Sequence, residues 1–151
     1  MLDTEFLQLN DMGTFLAIYS KDLTKQQKKK SLIAMSLIKE KSDGSLKGRT
    51  CAFGKTQRGL YEKHETFAPT VHTDSFMATT AIEAKEGRYV VTGDVKGAFL
   101  HAPEKDFTVM RFVNEQVETS CNVNEEHVDY VTTEGKNKIL CLMLSKALYG
   151  T

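Results

Sequence analysis

Residues 32–53, LIAMSLIKEKSDGSLKGRTCAF, place an Asp-Gly pair between two runs rich in strand-compatible side chains. Both central positions of a tight turn must tolerate positive φ, and Asp-Gly does so more readily than most pairs. The pattern predicts an antiparallel hairpin with strands at 32–39 and 46–53. Side chains alternate with a period of two, so Lys47, Arg49, Cys51 and Phe53 share one face of the second strand. Two cations then project side by side beyond the turn. A charged edge strand that resists aggregation would look the same as an anion site.

Further along, YEKHETFAPTVHTDSF holds Pro69, one of two prolines, which breaks regular structure. Thr73 is an N-cap candidate with Asp74 in the first turn, opening a helix that should stop at Glu86-Gly87. Phe76, Met77, Thr80, Ala81 and Ala84 recur at helical spacing and read as a core stripe. Residues 88–93, RYVVTG, read as a strand buried on both faces, with Asp94 at its carboxyl end. Residues 95–101 form a tight turn or short helix and 107–112 another strand. Asn124 caps a short helix at 124–130, and a last strand lies at 138–144.

The chain has 151 residues, 40% of them hydrophobic, enough for one ordinary domain. Twenty basic residues balance twenty acidic ones, so overall charge gives no reason to expect indiscriminate nucleic-acid binding. The charge is unevenly distributed. KQQKKK at 25–30, Lys39, Lys41, Lys47, Arg49, Lys55 and Arg58 make the first half basic, and 115–129 is acid-rich, so a polyanion should meet the first half. The lysine run by itself reads as a solvated helix face or linker. Cys51, Cys121 and Cys141 form no CxxC, which argues against a disulfide framework or a zinc site. His64, His72, His101 and His127 lack the i,i+4 pairing of a helical metal site and read as surface or satisfied polar residues. No apolar run approaches the roughly 20 residues needed to span a bilayer. The N-terminus carries acids where a signal peptide carries positive charge, so the expected compartment is cytoplasmic or nuclear, without a membrane.

Within GDVKGAFLHA, residues 93–102, Asp94 has two readings. A carboxylate at a strand end followed by turn carbonyls, such as that of Val95, is half a magnesium site, since magnesium takes hard oxygen ligands. An aspartate before a short helix is also a common cap, and spacing alone favours the cap.

Four motifs in order bear on that choice. KGRTCAFGKTQ at 47–57 resembles KARLVARGFTQ of the reverse transcriptase domain of copia-type retrotransposons. ETFAPT at 65–70 resembles that family's ETFAPV, DVKGAFLHA at 94–102 its DVKTAFLNG, and LSKALYG at 144–150 the start of its LKKALYGLKQAP. The similarity covers about 32–150. It implies an α+β fold, the fingers β-hairpin plus partial palm of a right-hand polymerase, with 1–30 as an N-terminal extension and 31–151 as a partial reverse transcriptase domain. The implied activity is templated DNA synthesis by two-metal nucleotidyl transfer, with Mg2+ as cofactor and RNA or DNA template-primer and dNTPs as partners. Asp94 would then be catalytic and a metal ligand, and the Val95 carbonyl a second ligand. Lys47 and Arg49 would meet the triphosphate, with Lys39 and Lys41 as weaker candidates. Phe99 would stack under the sugar and disfavour a 2′ hydroxyl, while Tyr149 and Gly150 would pack beneath the nucleotide or template base.

The resemblance has gaps. The family's second carboxylates lie in a Tyr-Val-Asp-Asp hairpin after ALYG, and this sequence reaches Thr151 before such a motif. Asp106, Asp129 and Glu134 do not stand in that context. Phe53 occupies the place of the family's arginine in VARG, removing a charge and a donor fork together. The expectation is a truncated element, inactive alone, with apolar residues 139–144 partly uncovered. A non-catalytic nucleic-acid-binding fragment and a functionless relic are the alternatives.

Overall fold

The computed structural model describes residues 2–54 and 70–149. Two units are distinguished, one comprising Met1–Arg58 with Gly97–Thr151, the other Gly59–Lys96.

In the larger unit the chain runs through α1 (Leu2–Asp11), β1 (Phe15–Ile18), a 3-10 turn, α2 (Lys25–Lys30), β2 (Leu32–Glu40) and β3 (Leu46–Ala52). The smaller unit holds α3 (Thr73–Glu86). After it come a 3-10 turn (Ala98–His101), β4 (Val109–Val113), α4 (Glu115–Val123), a 3-10 turn (Glu125–Tyr130), β5 (Thr132–Glu134) and β6 (Asn137–Leu144). The strands form one mixed sheet in the order β1-β6-β4-β2-β3, with β5 also pairing with β6. The chain is α+β.

The hairpin forms as expected. Lys39 lies opposite Lys47 and Leu37 opposite Arg49. The connecting turn has Gly44 at φ 75°, and the Asp43 carboxylate accepts bonds from the Ser45 amide (2.8 Å) and hydroxyl (2.6 Å). Those bonds hold the Asp43 carboxyl below its ordinary range.

Strand alternation divides the sheet into two faces. Leu32, Met110, Phe112, Leu140 and Leu142 point toward α1 and α4, where they meet Phe6, Leu9 and Val117. Phe112 makes edge contacts with Phe6 at 5.1 Å and Phe15 at 5.7 Å. On the opposite face Leu23 covers Val109, Ile139 and Cys141. Residues 2–18, read from sequence as part of an N-terminal extension, thus supply core side chains and a strand. They also correct the expectation for 139–144. Ile139, Leu140, Cys141, Leu142 and Leu144 are buried, because β6 lies between β4 and β1 with side chains covering both faces.

α2 is only six residues long and buries none of them. A reciprocal capping box holds its start: Gln27 N donates to Thr24 Oγ1 (3.2 Å) and Thr24 N to Gln27 Oε1 (2.8 Å). Asn124 accepts from Glu126 N at 3.1 Å, as expected of a cap, although the segment it opens is 3-10 rather than α.

The smaller unit departs from expectation. Its helix α3 ends at Gly87, whose φ of 67° is the left-handed cap anticipated, but the N-cap is His72 rather than Thr73. No residue of α3 is buried, and Phe76 and Met77 are more than half exposed, so the stripe is not core. Residues 88–93 form no strand, with Tyr89 98% and Val91 89% exposed. Apolar β-branched composition makes a segment fit for a sheet, but a strand exists only when a ladder partner is in register. None is found among the described residues. Among these, no helix is long and apolar enough to cross a membrane.

Candidate functional site

Three expected site residues converge in the larger unit. Arg49 projects from the exposed face of β3, whose opposite face buries Gly48, Thr50 and Ala52. Its guanidinium carbon lies 5.3 Å from the centroid of the Tyr149 ring. The Tyr149 ring in turn lies 4.9 Å from that of Phe99, tilted by 57°.

The backbone explains how distant segments meet there. Ala52 N donates to Tyr149 O (2.8 Å), tying β3 to the segment after β6, and Ala147 N donates to Ala102 O (2.9 Å), tying that segment to the 3-10 turn. Leu100 and Leu148 are buried in the core, at 2% and 1% exposure, and act as anchors. Each places its neighbour outward: Phe99 is 54% exposed and Tyr149 half-buried. Gly97 enters the turn at φ 64°, where a Cβ would stand 3.0 Å from the side-chain Nε2 of Gln8. A guanidinium over an aromatic face gains about 0.5–1 kcal/mol at an exposed site and keeps its edge donors for an anion. The corner therefore combines an aromatic platform with a positioned cation.

Lys47 is exposed two residues along β3, directly opposite Lys39. Like charges facing each other across a ladder cost stability unless an anion or solvent screens them. Lys41 lies in the turn.

Asp94 and Val95 belong to the smaller unit, where both are exposed in irregular backbone. The expected placement of Asp94 at the end of a buried strand is thus not found. Among the described residues no group of three or more His, Cys, Asp or Glu could hold a metal ion. One exposed carboxylate with an adjacent carbonyl is not a donor set for two magnesium ions, so the described residues do not fit that cofactor. Of the acids considered as substitutes, Glu134 is committed to Arg111. Gly150, and motif positions 55–57 and 65–69, lie outside the described residues, as does His64.

All three cysteines are free thiols, and burial pushes each above its ordinary range, with Arg49 partly opposing this at Cys51. They are therefore poor nucleophiles. His127 is the satisfied polar histidine expected, buried with Nδ1 2.9 Å from Ser120 Oγ.

Sequence reasoning missed a cleft of about 590 Å³ between α1, β2 and the start of α4. Two of its polar side chains are already engaged. Gln116 Nε2 donates to Ala34 O (3.2 Å) and Ser36 Oγ (3.1 Å), and Asn114 Oδ1 accepts from Lys138 N (3.0 Å).

No protein-family model, curated protein or solved structure matches the chain.

Proposed function

We propose that the chain is a fragment of the RNA-directed DNA polymerase of a copia-type retrotransposon, whose larger unit keeps a corner for the incoming nucleotide. The observation that carries this reading is the convergence of Arg49, Phe99 and Tyr149, each from a different one of the motifs that resemble that family. Arg49, with Lys47 nearby on the same strand face, would meet the triphosphate. Phe99 would lie against the sugar, where a bulky ring clashes with a 2′ hydroxyl. Tyr149 would back the base, and the resemblance gives Gly150 the same role. On this reading the fold is the fingers hairpin and part of the palm. Asp94, the Val95 carbonyl and magnesium keep their roles only through the resemblance. The chain by itself is expected to bind nucleotide without extending a primer on a template.

Calorimetric titration of the full chain with dATP and ATP tests the reading. Arg49→Ala should weaken dATP binding more than tenfold, the equivalent of losing about 1.5–3 kcal/mol of charge-assisted hydrogen bonding. Phe99→Val should narrow the preference for dATP over ATP. Equal dATP affinity in the parent chain and in a folded Arg49→Ala variant would discard the nucleotide corner.

A further inference from the structure

Residues 88–94, RYVVTGD, carry the strand-forming side chains of the smaller unit without a strand to join. Tyr89 is 98% and Val91 89% exposed, and Val90 is more than half exposed. Arg88 N closes the end of α3 by donating to Glu83 O (2.9 Å), and from residue 89 to residue 94 the backbone belongs to no ladder among the described residues. An uncovered run of strand-forming side chains is an edge that soluble proteins blunt with charge, proline or a covering element. Positions 89–93 hold neither charge nor proline.

The segment is complementary to itself. Antiparallel pairing of two copies about a two-fold axis through Val91 sets Val91 opposite Val91, Val90 opposite Thr92, Tyr89 opposite Gly93 and Arg88 opposite Asp94. Each opposition is favourable. Two valines meet on the axis, β-branched side chains lie beside them, a ring covers a glycine that has no side chain of its own, and each end carries an ion pair. Moving the axis by one residue toward either end loses both ion pairs and, toward the carboxyl end, sets Arg88 opposite Lys96.

We infer that residues 88–94 are a self-association site, pairing antiparallel with the same residues of a second copy of this chain. Charge complementarity identifies the occupant, because only a strand with an acid and a base at matching ends answers Arg88 and Asp94 together. A two-stranded ribbon alone is marginal in water and needs a helix against one face. α3 runs directly into the segment, and its Phe76, Met77 and Ile82 are all more than half exposed in the single copy. Pairing therefore gives those side chains a layer to pack on. The inference goes beyond the nucleotide reading above and does not rest on it.

Sedimentation equilibrium of the full chain over a dilution series tests the association, and oxidative cross-linking tests the register. The parent chain should form a dimer that dissociates on dilution. Val91→Lys sets like charges face to face on the axis and removes the valine contact, so it should raise the dissociation constant by more than about tenfold. Arg88→Glu should also weaken the dimer, and Arg88→Glu with Asp94→Arg should restore it, because the exchange remakes both ion pairs in the opposite sense. Oxidised Val91→Cys should join two copies, since residues directly opposite stand about 4.5–5.5 Å apart at Cβ. Tyr89→Cys should not, since Tyr89 faces Gly93 and lies about 13 Å along the ribbon from its own counterpart. The parent chain, whose three cysteines are free thiols, is the blank. The substituted positions are exposed and outside the core cluster, so the variants keep the fold of the larger unit, which urea denaturation checks. Monomer at every concentration, a dimer indifferent to Val91→Lys, no rescue by the charge exchange, equal cross-linking at 89 and 91, or assemblies larger than a dimer would each overturn the inference.

Discussion

Phe6→Ala tests whether the first helix is part of the folding unit or an appendage to it. Phe6 is 2% exposed, and its ring meets Phe112 edge-on at 5.1 Å. Truncating a buried phenylalanine removes its transfer free energy and leaves a cavity, together about 3–5 kcal/mol. Roughly 0.5–1.5 kcal/mol of that belongs to the ring pair. Against a total stability of about 5–15 kcal/mol the loss is large, and the melting temperature should fall by about 6–20 °C. Urea denaturation followed by circular dichroism measures it, with Leu7→Ala as the control. Leu7 is 48% exposed on the same helix and should cost only a few tenths of a kcal/mol from its partial burial, up to about 1. A double-mutant cycle with Phe112→Ala should return a coupling of about 0.5–1.5 kcal/mol. A loss below about 0.5 kcal/mol for Phe6→Ala would refute the packing of α1 on the sheet, because a detached helix contributes nothing to the core.

Burial holds the His127 imidazole below its ordinary value, while Ser120 and Glu126 pull the other way. An unfolded histidine titrates near 6.5, so below that the unfolded chain binds more protons and stability falls as pH drops, by at most about 1.4 kcal/mol per pH unit. Urea midpoints between pH 8 and 5 should show this acid loss and lose it in His127→Gln; the same acid slope in both proteins would contradict it. The Thr50 hydroxyl is buried and finds no partner among the described residues. Thr50→Val keeps the branched shape and removes the unsatisfied group, so it should raise stability by about 1 kcal/mol in the same assay; a loss would show that the hydroxyl is satisfied.

What could be read from the sequence follows the range of the forces involved. The hairpin, the Gly87 stop and the Asn124 cap are local events, fixed by turn chemistry within a few residues. β1 and α1 were missed because FLAI is too short to declare a strand alone, and because a ten-residue helix draws most of its stability from packing, here of Phe6 and Leu9 on the sheet. The opposite error occurred at 88–93, where apolar composition indicated a strand but pairing, a property of the whole sheet, did not follow. The same holds for the site. Alternation placed Lys47 and Arg49 on one exposed face, but that Arg49, Phe99 and Tyr149 meet depends on Leu100 and Leu148 being drawn into a shared core. The lysine run at 25–30 was legible as a solvated helix face or linker.

Because Phe15 pairs with Leu144 and β4 with β6, the centre of this sheet is made from a segment that leaves the ribosome long after its outer strand β1. Contacts between residues so distant in sequence close slowly, and chains emerge at about 5–20 residues per second. For several seconds during synthesis Phe6, Leu9 and Phe15 have no β6 to cover. In that interval the hairpin, made of local contacts, is the part able to form, and the growing chain displays its cationic strand before it has a core.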